Sequence, residues 1–140
     1  MKQEDKDLLL KDLCARLPYS VSVNYKGEIY SVLGIAHGRL VLCKPFMSQT
    51  LEYRPLVEEV KPYLFPLSSM TDEEFKEYEK ENDIDTADSS ETLRENLKAK
   101  KRVRVSKWYR GSEWLNKNHF DYRGLIEKGL AIDASGLNIY

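Results

Sequence analysis

A chain of 140 residues, 41% of them apolar and 32% charged, has the length of one ordinary domain. Folding at that size removes roughly two-thirds of the unfolded surface from water, which excludes a disordered or fibrous polypeptide and makes metal or disulfide staples unnecessary. A formal net charge of -1 and a pI near 6.2 exclude a uniformly basic nucleic-acid coat, so any electrostatic function must be local.

The opening residues lack the basic-then-apolar build of a signal peptide, and no run approaches the roughly 20 apolar residues of a membrane span. The expected compartment is a reducing cytoplasm, with no membrane partner. Cys14 and Cys43 have no CxxC spacing and sit in apolar patterns, which predicts buried thiols rather than a metal or redox pair.

Leu9, Leu10, Leu13, Cys14 and Leu17 recur at helical spacing, and Pro18 stops the helix. The period then changes to two. Tyr19, Val21, Val23 and Tyr25 alternate with polar residues, Lys26 and Gly27 turn the chain, residues 28–36 return, His37 and Gly38 turn again, and a third strand follows over 39–44. A fourth strand is expected at 50–54 after a loop at 45–49. Such a meander is expected to curl, an SH3-like barrel being its closed form.

Residues 57–66, held between prolines, read as an extended or irregular crossover laid over the sheet. Thr71 followed by Glu74 fits a capping box, so a helix should run to about Asn82 with Phe75 and Tyr78 inward. Residues 83–90 read as a flexible loop, 91–100 as a helix and 102–108 as a strand. Ser112 is placed to cap a helix carrying Trp114 and Leu115. Asp121 is placed to cap another carrying Leu125 and Ile126, ended by Gly129, and residues 131–140 read as a closing hairpin or edge strand. The expected architecture is therefore one α+β domain, 1–140. Its first half, 1–70, is a helix plus an antiparallel meander, and its second half, 71–140, mixes short helices with a closing strand.

Two constellations carry chemistry. Lys98, Lys100, Lys101, Arg102, Arg104, Lys107 and Arg110 surround Trp108 and Tyr109 with no acid among them. Those are the side chains that contact phosphates and stack on bases, so Lys100, Lys101, Arg102, Arg104, Lys107, Trp108, Tyr109 and Arg110 form the candidate binding set, for nucleic acid or an acidic protein. His119, Asp121 and Arg123 place a base, a carboxylate and a guanidinium close in sequence, a set that acid–base or phosphate chemistry can use. Each also has a structural reading, as a turn, a helix cap and a surface pair. No metal is expected, because His37 and His119 give no zinc spacing with either cysteine and Asp83, Asp85 and Asp88 lack a calcium loop's glycine and glutamate. No cofactor motif is present.

Three blocks, LLLKDLCARLPY at 8–19, EVKPYLFPLSSMT at 59–71, and WLN with HFDYRGLI at 114–116 and 119–126, together resemble a family of small proteins encoded by gut Bacteroidales and their phages or mobile elements. The resemblance brackets almost the whole chain and is loose over about 82–111. It implies a context, an accessory protein of a mobile element, and no activity. It also implies a second histidine where this chain has Asn118, which weakens a two-histidine metal site. The expected function is a non-catalytic accessory or binding module, and the alternative is a small enzyme acting on a phosphate-containing substrate through His119, Asp121 and Arg123.

Overall fold

The structure, a computed structural model, describes residues 1–44, 53–82 and 110–140. Helix α1 (Gln3–Arg16) runs into a 3-10 turn at Leu17–Tyr19, where Pro18 withholds the next backbone donor. Strands β1 (Ser22–Tyr25), β2 (Glu28–Ala36) and β3 (Arg39–Cys43) form the antiparallel meander. Lys26 and Gly27 both take positive φ, 51° and 81°, as do His37 and Gly38, 53° and 76°. Two left-handed residues in succession match the right-handed twist of the flanking strands, and glycine supplies the second at no steric cost.

Residues 57–66 are extended from Val60 on, but they lie within the sheet and not as a crossover over it. After a 3-10 turn at Val57–Glu59 they form strand β4 (Val60–Pro66), which pairs antiparallel with β1, parallel with β5 (Phe120–Asp121) and parallel with β6 (Ile132–Asp133). Two prolines hid this strand, since each removes one ladder donor, yet Pro62 still takes a register position opposite Val23. The sheet order is β3-β2-β1-β4-β5, with β6 also against β4. The path is open, so the meander does not close as an SH3-like barrel. The α+β class stands as expected.

One face of the sheet is covered by α1. Leu9 and Leu13 pack with Val21, Val23, Tyr30, Val32, Leu40, Leu42, Val60 and Leu64, and Leu125 and Leu130 complete this core. A β-bulge between Val32 and Gly34 shifts the register and turns Leu33 out, 54% exposed, while Ile35 returns to the core side. A second cluster joins Leu67, Met70, Phe75, Tyr78, Trp114, Leu115, Phe120 and Tyr122. It is built between α2 (Asp72–Asn82) and α3 (Arg110–Lys117). The expected capping box holds α2: Thr71 donates its N–H to Glu74 Oε1 at 3.0 Å, and Glu74 donates its N–H to Thr71 Oγ1 at 3.2 Å.

Other expectations need correction. Cys14 is exposed and Cys43 half-buried, because the buried stripe of α1 is Leu9, Asp12, Leu13 and Arg16; Cys14 lies beside that stripe. Ser112 lies within α3 rather than capping it. Asp121 does receive the amides of Leu125 and Ile126, but the segment is a run of turns, not a helix, ended by Gly129 at φ 74°. Of the two readings of 131–140, the strand is the one that forms, β6 pairing with β4, and the hairpin does not. The expected strand at 50–54 is described only at its end, where Tyr53 bridges Leu42. The readings at 83–90, 91–100 and 102–108 lie outside the described residues.

Leu64 is fully shielded at the centre of the sheet, and a Leu→Ala change at such a site removes buried methyl groups and leaves a cavity. Leu64→Ala is expected to lower stability by about 2–5 kcal/mol in urea unfolding, and Leu33→Ala by about 0.5 kcal/mol or less. Equal losses at the two positions would contradict the assignment of faces.

Candidate functional site

The densest polar arrangement lies where α1 meets the chain around β5. Asp12 and Arg16 are one helical turn apart and both 0% exposed. Arg16 Nε donates to Asp12 Oδ2 at 2.8 Å and Arg16 Nη2 to Asp12 Oδ1 at 3.0 Å, the two-point geometry that makes a guanidinium–carboxylate pair strong. Arg16 Nη2 also donates to the Phe120 carbonyl at 2.7 Å, and Arg123 Nη1 donates to Asp12 Oδ1 at 2.8 Å. The Tyr122 ring lies near both guanidinium carbons, 5.6 Å from that of Arg16 and 4.5 Å from that of Arg123. Its hydroxyl donates to Asn116 Oδ1 at 3.0 Å.

The three candidate catalytic residues all border this network, each with its own task. Asp121 accepts from the amides of Leu125 and Ile126, both at 2.9 Å. Burial pushes its carboxyl above the usual range, and those two N–H groups pull against it. Arg123 is held by Asp12 and by Tyr122. His119 has a left-handed backbone, φ 63°; its carbonyl accepts from the Phe65 amide at 2.8 Å. Its imidazole stacks on Tyr140 with ring centres 3.6 Å apart and planes 9° apart. Burial, with the neighbouring Arg16 charge second, lowers its pKa to about 4, so the ring is neutral at pH 7.

Tyr140 completes the arrangement. Its hydroxyl donates to the Tyr63 carbonyl at 2.7 Å and accepts from the Ser22 amide at 3.0 Å. Burial of that hydroxyl pushes its pKa up to about 12. Among the described residues, two buried side-chain polar atoms have no hydrogen-bond partner, Arg16 Nη1 and His119 Nδ1.

None of His119, Asp121 and Arg123 lines the pocket of about 290 Å³ that opens beside them; Phe65, Ser69, Glu74, Phe120 and Ser135 line it. Among the described residues no group of three or more His, Cys, Asp or Glu can hold a metal ion, and no helix is long and apolar enough to cross a membrane. Of the candidate binding set, Lys100, Lys101, Arg102, Arg104, Lys107, Trp108 and Tyr109 lie outside the described residues, and Arg110 begins α3.

Asp12 and Arg16 were missed from the sequence, because a search for an apolar stripe passes over charged residues. The available signal was an acid and a base at i and i+4 within the three- and four-residue rhythm of Leu9 and Leu13. Compared with family models, curated proteins and solved structures, the chain matches none.

Removing one member of a buried ion pair leaves the other charge uncompensated, at a cost of about 3–5 kcal/mol. Arg16→Met is expected to destabilise by that amount in chemical denaturation. Arg123→Ala, which removes a donor that is 15% exposed, should lose about 1–3 kcal/mol. An Arg16→Met protein within 1 kcal/mol of the parent would contradict the role given to the pair.

Proposed function

We propose that the protein is a non-catalytic binding module, an accessory protein of a phage or other mobile element, which contacts nucleic acid through the basic segment at 98–110. The observation that supports this reading is the engagement of the His119, Asp121 and Arg123 set in the scaffold. Asp121 receives two backbone amides, Arg123 pairs with the buried Asp12, and His119 lies under Tyr140. A catalytic acid–base pair needs geometry around a shared reacting atom, and the pocket nearby is lined by other residues.

The basic segment carries seven Lys or Arg side chains within thirteen residues, interrupted by Trp108 and Tyr109. Cations spaced along the chain neutralise phosphates, and interleaved aromatic rings stack on unpaired bases, which favours single-stranded nucleic acid over an acidic protein. The alternative, an enzyme acting on a phosphate-containing substrate through His119, Asp121 and Arg123, draws support from one feature, the unpartnered His119 Nδ1 beside Arg16.

The purified protein should bind a single-stranded oligonucleotide at low salt, weakening several-fold with each doubling of salt concentration, as release of counterions requires. Reversing Lys100, Arg102 and Arg104 to glutamate should reduce affinity by about tenfold or more and flatten the salt dependence. Absence of binding at low salt defeats the nucleic-acid reading, and binding of an acidic protein alone transfers the segment to that partner. Hydrolysis of a phosphate ester that His119→Asn abolishes would establish the alternative.

A further inference from the structure

We propose that residues 135–140 form an acid-releasable strap, held shut by Tyr140, which docks on the His119 ring and on the backbones of β1 and β4. The segment leaves the sheet at Ala134, whose amide donates to the Leu64 carbonyl at 2.8 Å. It then turns through Gly136 and Asn138, both at positive φ. Leu137 and Asn138 are exposed. Tyr140 returns to the body of the protein, with its ring on His119 and 5.9 Å from Phe65, and its hydroxyl between Ser22 and Tyr63. Ser135 and Leu137 are tied only within the turn, to Asp133 Oδ1 at 2.8 Å and to the Ala134 carbonyl at 3.1 Å, while the Tyr140 side chain, its residue 45% exposed, ties the end of the segment to β1 and β4.

The closed state carries an opposing feature. In it His119 Nδ1 is buried without a hydrogen-bond partner, as is Nη1 of Arg16, whose charge acts on the imidazole. An unsatisfied buried polar atom favours whatever conformation returns it to water. Closure thus balances two hydrogen bonds and a ring stack against desolvation of the imidazole, which is the character of a displaceable element rather than of core.

Protonation tips that balance. The charged groups around the ring are Arg16 and Asp12 on α1, with Asp121 and Arg123 after it in the chain. Arg16 is the one that acts on the imidazole, and it opposes a second positive charge. Shut, His119 titrates at about 4; open to water it should return toward 6.5, its ordinary value. The shut form binds fewer protons, so its advantage is complete above pH 6.5 and is lost as pH falls from 6.5 through 4. Across that window the opening equilibrium should rise by about 100-fold, and it approaches the full ratio of about 300 set by the two pKa values only below pH 4.

The Ser22 amide, which donates to the Tyr140 hydroxyl, reports the strap. Its hydrogen-exchange protection, corrected for the intrinsic rate at each pH, should fall by about 100-fold between pH 7 and pH 4, while the Leu64 amide stays protected. His119→Asn keeps a residue that tolerates the left-handed backbone and cannot titrate; in it, Ser22 protection should not change with pH. In Tyr140→Ala the His119 titration, followed by NMR, should move up by more than one pH unit. Three results overturn the proposal: Ser22 protection that persists at pH 4, equal loss in His119→Asn, or loss at Ser22 and Leu64 together. An unmoved His119 midpoint in Tyr140→Ala also overturns it.

Discussion

Asp12 and Arg16 are both withdrawn from water on the inner face of α1, and much of the molecule is arranged to make that tolerable. Desolvating either ion alone is costly by several kcal/mol. The Coulomb attraction offsets this only if the remaining lone pairs and protons also find partners. Oδ1 of Asp12 takes a second guanidinium, Arg123, from 111 residues away, and Nη2 of Arg16 takes the Phe120 carbonyl, 104 residues away. The pair therefore fixes where the chain after α3 must pass. It is less a source of stability than a condition that one long-range arrangement satisfies, since an apolar pair of similar volume would lack the directional requirement.

The second constraint is β4. Val60 to Pro62 complete the meander beside β1, and Tyr63 to Pro66 receive β6 and β5. The chain's first and last thirds thus meet on one strand. Parallel two-residue strands have little strength of their own. They hold because Phe120 and Tyr122 on the β5 side enter the second core cluster and Leu130 and Ala131 before β6 enter the first. The ion pair and the strand reinforce each other, as Arg16 binds the carbonyl of Phe120 in β5, the residue in register with Phe65 of β4.

Much of the fold could be read from local signals, and the failures share one cause. The hairpin turns at Lys26 and His37, the capping box at Thr71 and the amide-binding role of Asp121 each depend on residues within five positions. What stayed hidden depends on distant partners. Pro62 and Pro66 made β4 look irregular, although its neighbours come from residues 22–25, 120–121 and 132–133. Tyr140 gave no signal, because neither of its hydroxyl contacts, Ser22 and Tyr63, is near it in the chain. The candidate set His119, Asp121 and Arg123 was visible as composition, but its tasks were legible only for Asp121.

The backbone at His119 explains why proximity in sequence does not become a catalytic constellation here. A left-handed φ at a non-glycine residue carries strain and persists only where its surroundings fix it. Here the carbonyl of His119 accepts from Phe65 as β5 begins to pair with β4. The chain then extends through Phe120 and Asp121, so the imidazole and the Asp121 carboxylate leave a bent segment rather than one regular strand face. Their surroundings differ accordingly: His119 meets Tyr140, and Asp121 meets the amides of the following turn. Burial and Arg16 set the ionisation of His119, with no contribution from Asp121. For the carboxylate to orient the imidazole, Asp121 would have to leave those amides or β5 would have to leave β4, and both moves would strand buried backbone groups that are now paired.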